Sequence, residues 1–283
     1  MRILLTGATG LLGSELLKVL TERGHSVTPF KYRLESKGVE KKYYGRYDWV
    51  VHTAALTNVD RCEKEREFCW NVNALGTKTM RDIAKACGAR FLYVSTASVF
   101  FGDKGNYREK DRPYPQNFYN LSKFAGEIFA SEYAKSTIVR LVILGVHASG
   151  SRGKNFVEWL ADSFINGKDV RLFNDVTINP LSSVTAAEQI ADILISKKQR
   201  PIVHLTSKDR LTKAEIGRLV SKYFPTYGGQ ITEASSSSPG ATPHPKEMWL
   251  NGESSAKFFK LNKPTIKSEI DWMLRRDGNT KKR

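Results

Sequence analysis

The segment TGATGLLGSELL, residues 6–17, limits this chain more than any other. It follows the apolar run Ile3 to Leu5 and leads into a stretch of helical period, with Leu16, Leu17 and Leu20 on one face. Glycines between a strand and a helix have three separable uses. Gly7 permits a tight turn, Gly10 lets backbone approach a pyrophosphate, and Gly13 lets helix and strand pack closely, with phosphates held at the helix N-terminus. The spacing is G-x-x-G-x-x-G rather than G-x-G-x-x-G, and a plain tight turn would satisfy the glycines alone. The preceding strand and following helix supply the context that a dinucleotide site requires.

Beyond this loop, short apolar runs alternate with longer helical patterns, the signature of a parallel sheet with helices on both faces. Strands are expected at Ile3 to Leu5, Val27 to Phe30, Trp49 to His52, Phe91 to Ser95, Ile138 to Ile143 and Ile202 to Leu205. Helices are expected at Ser14 to Arg23, Ala74 to Cys87, Phe118 to Tyr133, Phe156 to Asn166, Ala186 to Ser196 and Lys213 to Phe224. The fold class is therefore α/β: a Rossmann-like, doubly wound parallel sheet with a small C-terminal substrate-binding region. Residues 1–144 and about 176–206 are assigned to the cofactor-binding part, and about 145–175 and 207–283 to the smaller region. Only about twenty residues separate the second strand from Trp49, so one crossover must be abbreviated. The run from about Thr226 to Pro245 is rich in Gly, Ser and Pro and reads as a loop or linker.

Composition narrows the class further. Hydrophobic residues make up 40%, and no apolar run approaches the roughly 18 residues that span a bilayer, so no membrane insertion is expected. The opening MRILLTG lacks the pattern of a signal peptide. Cys62, Cys69 and Cys87 have no metal-ligand spacing, the five histidines are scattered, and no metal is expected; reduced thiols fit a cytoplasmic protein. A net charge of +16 attracts anions in general. The basic residues are dispersed among acids apart from the tail RRDGNTKKR, which argues against a nucleic-acid-binding stripe. A homodimer remains open.

In dinucleotide folds an acid near the end of the second strand holds the ribose 2′-hydroxyl, whereas basic residues there accommodate a 2′-phosphate. This chain has Lys31 and Arg33 in that place, in TPFKYRLES, which favours NADP(H) over NAD(H); two ordinary surface cations are the competing reading.

FYNLSKFAGE, residues 118–127, places Tyr119 and Lys123 four apart. With 11 tyrosines, roughly one such pair is expected by chance, so position must carry the argument. The helical pattern puts Phe118, Leu121, Ala125, Ile128 and Phe129 on an apolar face and the pair on the other. A nearby cation lowers a phenol's pKa, and a tyrosine so tuned can protonate a ketone oxygen as hydride arrives. LYVSTASVF offers Ser95 and Thr96 at a strand's C-terminal end, where ligands of open parallel sheets sit. NLS at Asn120 to Ser122 matches a glycosylation acceptor but falls inside the helix, and is treated as chance. No Gly-x-Ser-x-Gly elbow is present, and His147 near Ser149 and Ser151 lacks the setting of a hydrolase nucleophile.

The glycine loop, VVHTAALTNVDRCE, NVNALGT, YVSTASVF and FYNLSKFAGE together resemble the extended short-chain dehydrogenase/reductase superfamily. GKNFVEWL, INPLSSVTAAEQIADIL and HPKEMWLN bring the chain closest to the dTDP-4-dehydrorhamnose reductase branch. The resemblance implies catalytic Thr96, Tyr119 and Lys123, with Tyr119 and Lys123 also touching cofactor. It implies further cofactor contacts at Gly7, Thr9, Gly10, Leu11, Leu12, Gly13, Ala54, Ala55 and Leu56, and a C-terminal region closing over a nucleotide-sugar. Arg152, Lys154 and Asn155 suit its phosphates, a solvated loop being the alternative, and the comparison puts His244 and Lys246 near the substrate. Three departures alter the expected pocket: Ala97 and Ser98 replace the usual Asp-Tyr, Ile143 stands where a tryptophan is common, and VEKKYYGRYD lacks an adenine-side acidic motif. The expected activity is NADPH-dependent reduction of a 4-keto-6-deoxy nucleotide-sugar. A non-catalytic NADP-binding subunit resembling the β subunit of methionine adenosyltransferase is the alternative, on TGATGLLG and RLVILGV.

Overall fold

A computed structural model describes residues 1–31, 43–147, 155–196, 198–237, 242–243 and 245–276; Arg33, Arg152, Lys154 and His244 lie outside them. Five strands of the central sheet are β1 (Arg2–Thr6), β2 (Ser26–Pro29), β3 (Trp49–His52), β4 (Arg90–Val94) and β5 (Ser136–Arg140). Short strands follow: β6 (Ile143–Leu144), β7 (Val170–Phe173), β8 (Thr177–Ile178), β9 (Leu181–Ser182), β10 (Ile202–His204), β11 (Leu211–Thr212) and β12 (Ile231–Ala234). The helices are α1 (Leu11–Glu22), α2 (Val59–Lys64), α3 (Arg66–Trp70), α4 (Gly76–Ala86), α5 (Phe118–Ser131), α6 (Phe156–Ile165), α7 (Ser183–Ile195), α8 (Lys213–Ser221), α9 (Glu253–Phe259) and α10 (Ile266–Arg276).

The main sheet runs β10-β5-β4-β3-β1-β2, every neighbouring pair parallel. Strand β3, WVVH, is buried at every position, as a strand covered on both faces must be. Pro29 is tolerated because β2 is an edge strand that can spare an amide. The chain moves outward from β1 to β2 and then returns to β1's other side with β3, so a crevice opens between the C-terminal ends of β1 and β3.

One core lies between the sheet and α1 and α7, around Leu5, Leu16, Leu20, Val51, Ile190 and Leu194. Val50, Met80, Ile83, Phe91 and Tyr93 form the core on the other face. A separate core gathers Leu160, Phe164, Leu172, Ile178, Ile216, Val220 and Ile270 from the C-terminal elements.

Several expectations are corrected. The strand expected to run to Ile143 stops at Arg140, and Ile143 begins β6, which pairs with β9 instead of continuing in the main sheet. Within the Gly/Ser/Pro-rich run, β12 is a strand that pairs in parallel with β7; its partner lies about sixty residues away, which local composition does not register. The residues before Ala74 are also helical: α2, α3 and a π-helical turn over Asn71–Leu75 lead into α4.

Candidate active site

The glycine loop closes the crevice on the β1 side. Gly7 has φ +69°, and a Cβ there would lie 2.8 Å from the backbone nitrogen of Ala54. A Cβ on Gly13 would lie 2.0 Å from the Gly7 carbonyl oxygen, so only glycine lets α1 pack this near the turn. Gly10 N–H donates to Gly7 O at 2.8 Å. Gly10 also caps α1 without a side-chain acceptor, leaving the first-turn amides of Leu11 and Leu12 without a side chain to bond, the condition for anion binding at a helix start. Leu12 is buried, Leu11 half-buried and Thr9 exposed. This cradle fits a dinucleotide pyrophosphate: two positions exclude any side chain, and the helix dipole favours negative charge.

Opposite lies Thr53 to Leu56. Thr6 Oγ1 accepts from the amides of Thr53 and Ala54, each at 3.2 Å. Asn73, within the π-helical turn, holds Leu56 at both ends: its Oδ1 accepts from Leu56 N at 2.8 Å, and its Nδ2 donates to Leu56 O at 3.0 Å. Ala54, Ala55 and Leu56 are half-buried along this wall. At the end of β2, exposed Lys31 donates its amide to the Tyr43 hydroxyl at 3.0 Å.

Helix α5 enters from the far side of β4. Asn117 caps it, accepting from Asn120 N at 2.9 Å. Tyr119 is half-buried, and the Thr96 side chain is near enough to its hydroxyl to favour the phenolate. Thr96, just past β4, also accepts from Ser98 N at 3.1 Å and lies 3.0 Å from Ser98 Oγ. Ser95 points elsewhere, donating to Glu127 Oε1 at 2.6 Å. Of the two strand-end hydroxyls, Thr96 alone meets the tyrosine.

Lys123 is 3% exposed; its Nζ donates to Val94 O at 2.8 Å and lies 4.3 Å from the centre of the Tyr93 ring. Burial pulls its pKa down to about 7, against the upward pull of Glu127 and Cys69. Burial pushes the Tyr119 phenol above its ordinary value, and charge on Cys62 adds to this, while the nearby Thr96 side chain opposes it. The expectation that the neighbouring cation lowers the tyrosine is thus reversed by desolvation.

The face of α5 is corrected as well. Leu121 and Ile128, expected inside, are 41% and 49% exposed, while Asn120, Ser122, Lys123, Gly126 and Glu127 are buried. The surface that receives them is polar and crowded. Asn73 Nδ2 donates to Ser122 Oγ at 2.9 Å, and a Cβ on Gly126 would stand 2.5 Å from the Tyr93 hydroxyl. Beneath lies fully buried His52, with Nδ1 2.7 Å from Thr6 Oγ1 and Nε2 3.2 Å from Thr77 Oγ1. Since Thr77 donates to Asn73 O at 2.6 Å, the chain of partners implies a neutral imidazole protonated on Nε2. Burial, with Lys123 adding, lowers His52 to about 3. The Cys62 and Cys69 sulfurs are in contact at 2.6 Å next to Ser122; none of Asn73, His52, Glu127 and Cys69 was singled out as a site residue from sequence. NVNALGT carried the signal for Asn73.

Residues expected near substrate fare unevenly. Ala97 is buried in a cluster with Val99, Phe100, Tyr107 and Leu250. Ser98 stays beside Thr96, and Ile143 is half-buried against the main core. Asn155 caps α6, accepting from Val157 N and Glu158 N at 3.0 and 3.2 Å. Lys246 pairs with Asp175 at 3.0 Å; although burial works against it, the Ser235, Ser236 and Lys246 contacts hold that carboxyl well below its usual range. Among the described residues no group of three or more metal-ligating side chains is present, and no helix is long and apolar enough to cross a membrane.

Comparison with known proteins places these features in a family. The RmlD substrate binding domain family matches residues 1–278. The probable low-salt glycan biosynthesis reductase Agl14 of Haloferax volcanii is 30% identical over 292 residues, 94% of each chain. The β subunit of methionine adenosyltransferase 2 from Xenopus laevis is 25% identical over 261 residues, 86% of this chain and 78% of that one. Among solved structures, a hypothetical dTDP-4-dehydrorhamnose reductase of Sulfolobus tokodaii superposes with TM-score 0.80 at 30% identity, covering 94% of this chain and 97% of that one. A dTDP-4-dehydrorhamnose reductase of Bacillus anthracis, solved in complex with NADP, superposes with TM-score 0.86 at 24% identity, covering 97% and 99%. The chain belongs to the RmlD substrate binding domain family, within the extended short-chain dehydrogenase/reductase superfamily.

Proposed function

We propose that this protein reduces the keto group of a nucleotide-sugar, with a 4-keto-6-deoxy sugar as substrate and NADPH as reductant. The observation that carries the reading is the convergence of Thr96 with Tyr119 and buried Lys123, one turn apart on α5 with the lysine anchored to Val94 O two residues before Thr96, beside the side-chain-free cradle at Gly7, Gly10 and Gly13. Bound at that cradle, the dinucleotide supplies the hydride. Gly7 to Gly13 and the first-turn amides of α1 hold its phosphates, and Ala54 to Leu56, fixed by Thr6 and Asn73, form the opposite wall. Lys31 favours the 2′-phosphate of NADP(H) over NAD(H), being an exposed cation at the end of β2.

Thr96 orients the carbonyl oxygen of the substrate, and Tyr119 gives that oxygen its proton as negative charge develops on it. Raised in the free protein, the phenol is a weak acid that becomes usable only when the resulting phenolate is paired with cationic Lys123. The sugar-nucleotide lies between the sheet and the C-terminal core, with Ser98 and Ile143 among the residues that shape its pocket. The reading is supported by the reductase names of the Haloferax and Sulfolobus relatives and tested by NADPH oxidation with dTDP-4-keto-6-deoxyglucose and other nucleotide-sugars. Tyr119→Phe is the control; unchanged turnover in that variant would remove Tyr119 from the mechanism.

A second reading is a cofactor-binding subunit that turns over nothing. It is supported by the Xenopus relative and by Ala97, which is buried where the reductase branch presents a side chain to substrate. A stoichiometric enzyme partner recovered by pull-down, together with absent NADPH consumption, would establish it.

A further inference from the structure

Lys123 lies in a pit that offers little to an ammonium group: one carbonyl, at Val94, and the face of Tyr93. One helical turn further along α5 is Glu127, 3% exposed and itself tightly held. Its Oε1 accepts from Ser95 Oγ at 2.6 Å and from Arg140 Nε at 2.9 Å, and its Oε2 accepts from Arg140 Nη2 at 2.6 Å. Arg140 stacks 5.0 Å from the Phe100 ring, and its remaining Nη1 is buried without a partner among the described residues. An ion pair buried this completely costs solvation that a well-packed apolar pair would not, so a use beyond stability is worth seeking.

We propose that Glu127 is a positioning residue for the proposed reduction: its carboxylate, locked by Ser95 and Arg140, favours the protonated form of Lys123 so that the lysine can stabilise the Tyr119 phenolate. The inference rests on the reductase reading for its purpose but not for its test. The groups that face Lys123 come from four elements. Tyr119 and Glu127 share its helix, Tyr93 comes from β4, His52 from β3 and Cys69 from α3, with Arg140 of β5 behind Glu127. His52 is neutral and Tyr93 is held un-ionised by burial, so neither supplies negative charge at pH 7. Cys69, drawn down to about 7 chiefly by its contact with the Cys62 sulfur, contributes only in its thiolate fraction. Glu127 is the standing negative charge of the group. Arg140 tempers that charge, but Lys123 stays within its field, being one turn earlier on the same helix and bonded to the Val94 carbonyl next to Ser95, which itself holds the carboxylate.

The test separates charge from shape in the full-length protein. Glu127→Gln keeps the side chain's length and removes its charge; Glu127→Asp keeps the charge and breaks the fitted contacts to Ser95 and Arg140. Lysine labelled at Cε is titrated by NMR in each, with Lys123→Met identifying the signal. The Lys123 pKa of about 7 is expected to fall by about one unit or more in Glu127→Gln and to stay within a few tenths in Glu127→Asp. The alkaline limb of the pH profile of NADPH oxidation should move down with it in Glu127→Gln alone. If Glu127→Gln does not fold, Glu127→Gln with Arg140→Met removes the orphaned guanidinium, and a smaller downward shift is expected. An unshifted Lys123 in the charge-removing variants, or equal shifts in Gln and Asp, overturns the proposal. Because the titration needs no turnover, an inactive protein would defeat the reductase reading and leave the role of Glu127 measurable.

Discussion

The two helix-strand junctions that flank the crevice are built on opposite principles. Where β1 turns into α1, side chains are removed: Gly7 and Gly13 bring backbone against backbone, and the helix then buries Leu12, Leu16 and Leu20 in an ordinary apolar core. Where α5 meets β4, polar side chains are packed in: Asn120, Ser122, Lys123 and Glu127 are buried and the leucine and isoleucine of the helix face outward. On the proposed reading, the first junction makes room for a ligand's phosphates and the second supplies groups that move or hold a proton. A binding surface can be made by subtraction, whereas a proton-handling one must pay desolvation for every group it positions.

The sharpest break of the second junction is chemical. Tyr119→Phe deletes one hydroxyl, and the proposed reduction is expected to fall by about 10²- to 10⁴-fold, the usual worth of a positioned general acid. Affinity for NADPH, measured by fluorescence titration, should be nearly unchanged, since the proposed phosphate site belongs to the first junction. A parallel loss of binding and turnover would show that the junctions are not separable in this way.

His52 joins the two, bonded to Thr6 at one nitrogen and to Thr77 at the other, and with His204, which burial lowers to about 4, it contributes to the pH dependence. Its folded pKa of about 3 lies below its ordinary 6.5. Below pH 6.5 the unfolded chain therefore binds a proton that the folded protein refuses. The stability this represents is complete above pH 6.5 and is lost as pH falls towards 3. Between pH 7 and pH 4.5 the loss amounts to about 3 kcal/mol, at about 1.4 kcal/mol per pH unit. Urea melts across that range should show it in the parent protein and show a flatter dependence in His52→Gln. Parallel curves would mean that the imidazole is not the group concerned.

Gly13→Ala probes the first junction. Its Cβ would stand 2.0 Å from Gly7 O, and backbone must shift to admit it, at a cost of about 2 kcal/mol and a weakened hold on NADPH. Gly10→Ala, whose Cβ meets the same oxygen at 3.3 Å, is the milder comparison. Equal melting temperatures for the two would contradict the close approach.

How much of each junction could be read beforehand follows from the same contrast. Glycines between an apolar strand and an apolar helix are a local pattern, and both the sheet and the tight turn from β1 into α1 were legible from them. Tyr119 and Lys123 were legible as a pair, as was Thr96, because their spacing and strand-end position are also local. The face of α5 was not: hydrophobic periodicity assigned Leu121 and Ile128 to the interior, and it has no means of seeing that β4 and α3 offer Tyr93, Ser95 and Cys69 as partners. The same blindness hid Glu127, whose meaning depends on Arg140 thirteen residues away on another strand, and β12, whose partner strand is far along the chain. Residues read by resemblance alone divided. Ser98 stays beside the proposed catalytic pair, while Lys246 is taken up by Asp175.

The smallest effect bears most directly on that failure. If α5 were an ordinary amphipathic helix, Leu121→Gln and Ile128→Gln would each remove a buried apolar side chain and cost several kcal/mol. With both side chains about half in solvent, each change is expected to alter stability by about 0.5 kcal/mol or less and to leave turnover intact. Calorimetry on the two variants checks this, provided that protein concentration is varied. A loss that is full at high concentration and fades at low concentration would mean that these side chains are covered by a second copy of the chain. A loss independent of concentration would restore the apolar face to the interior and undo the contrast between the junctions.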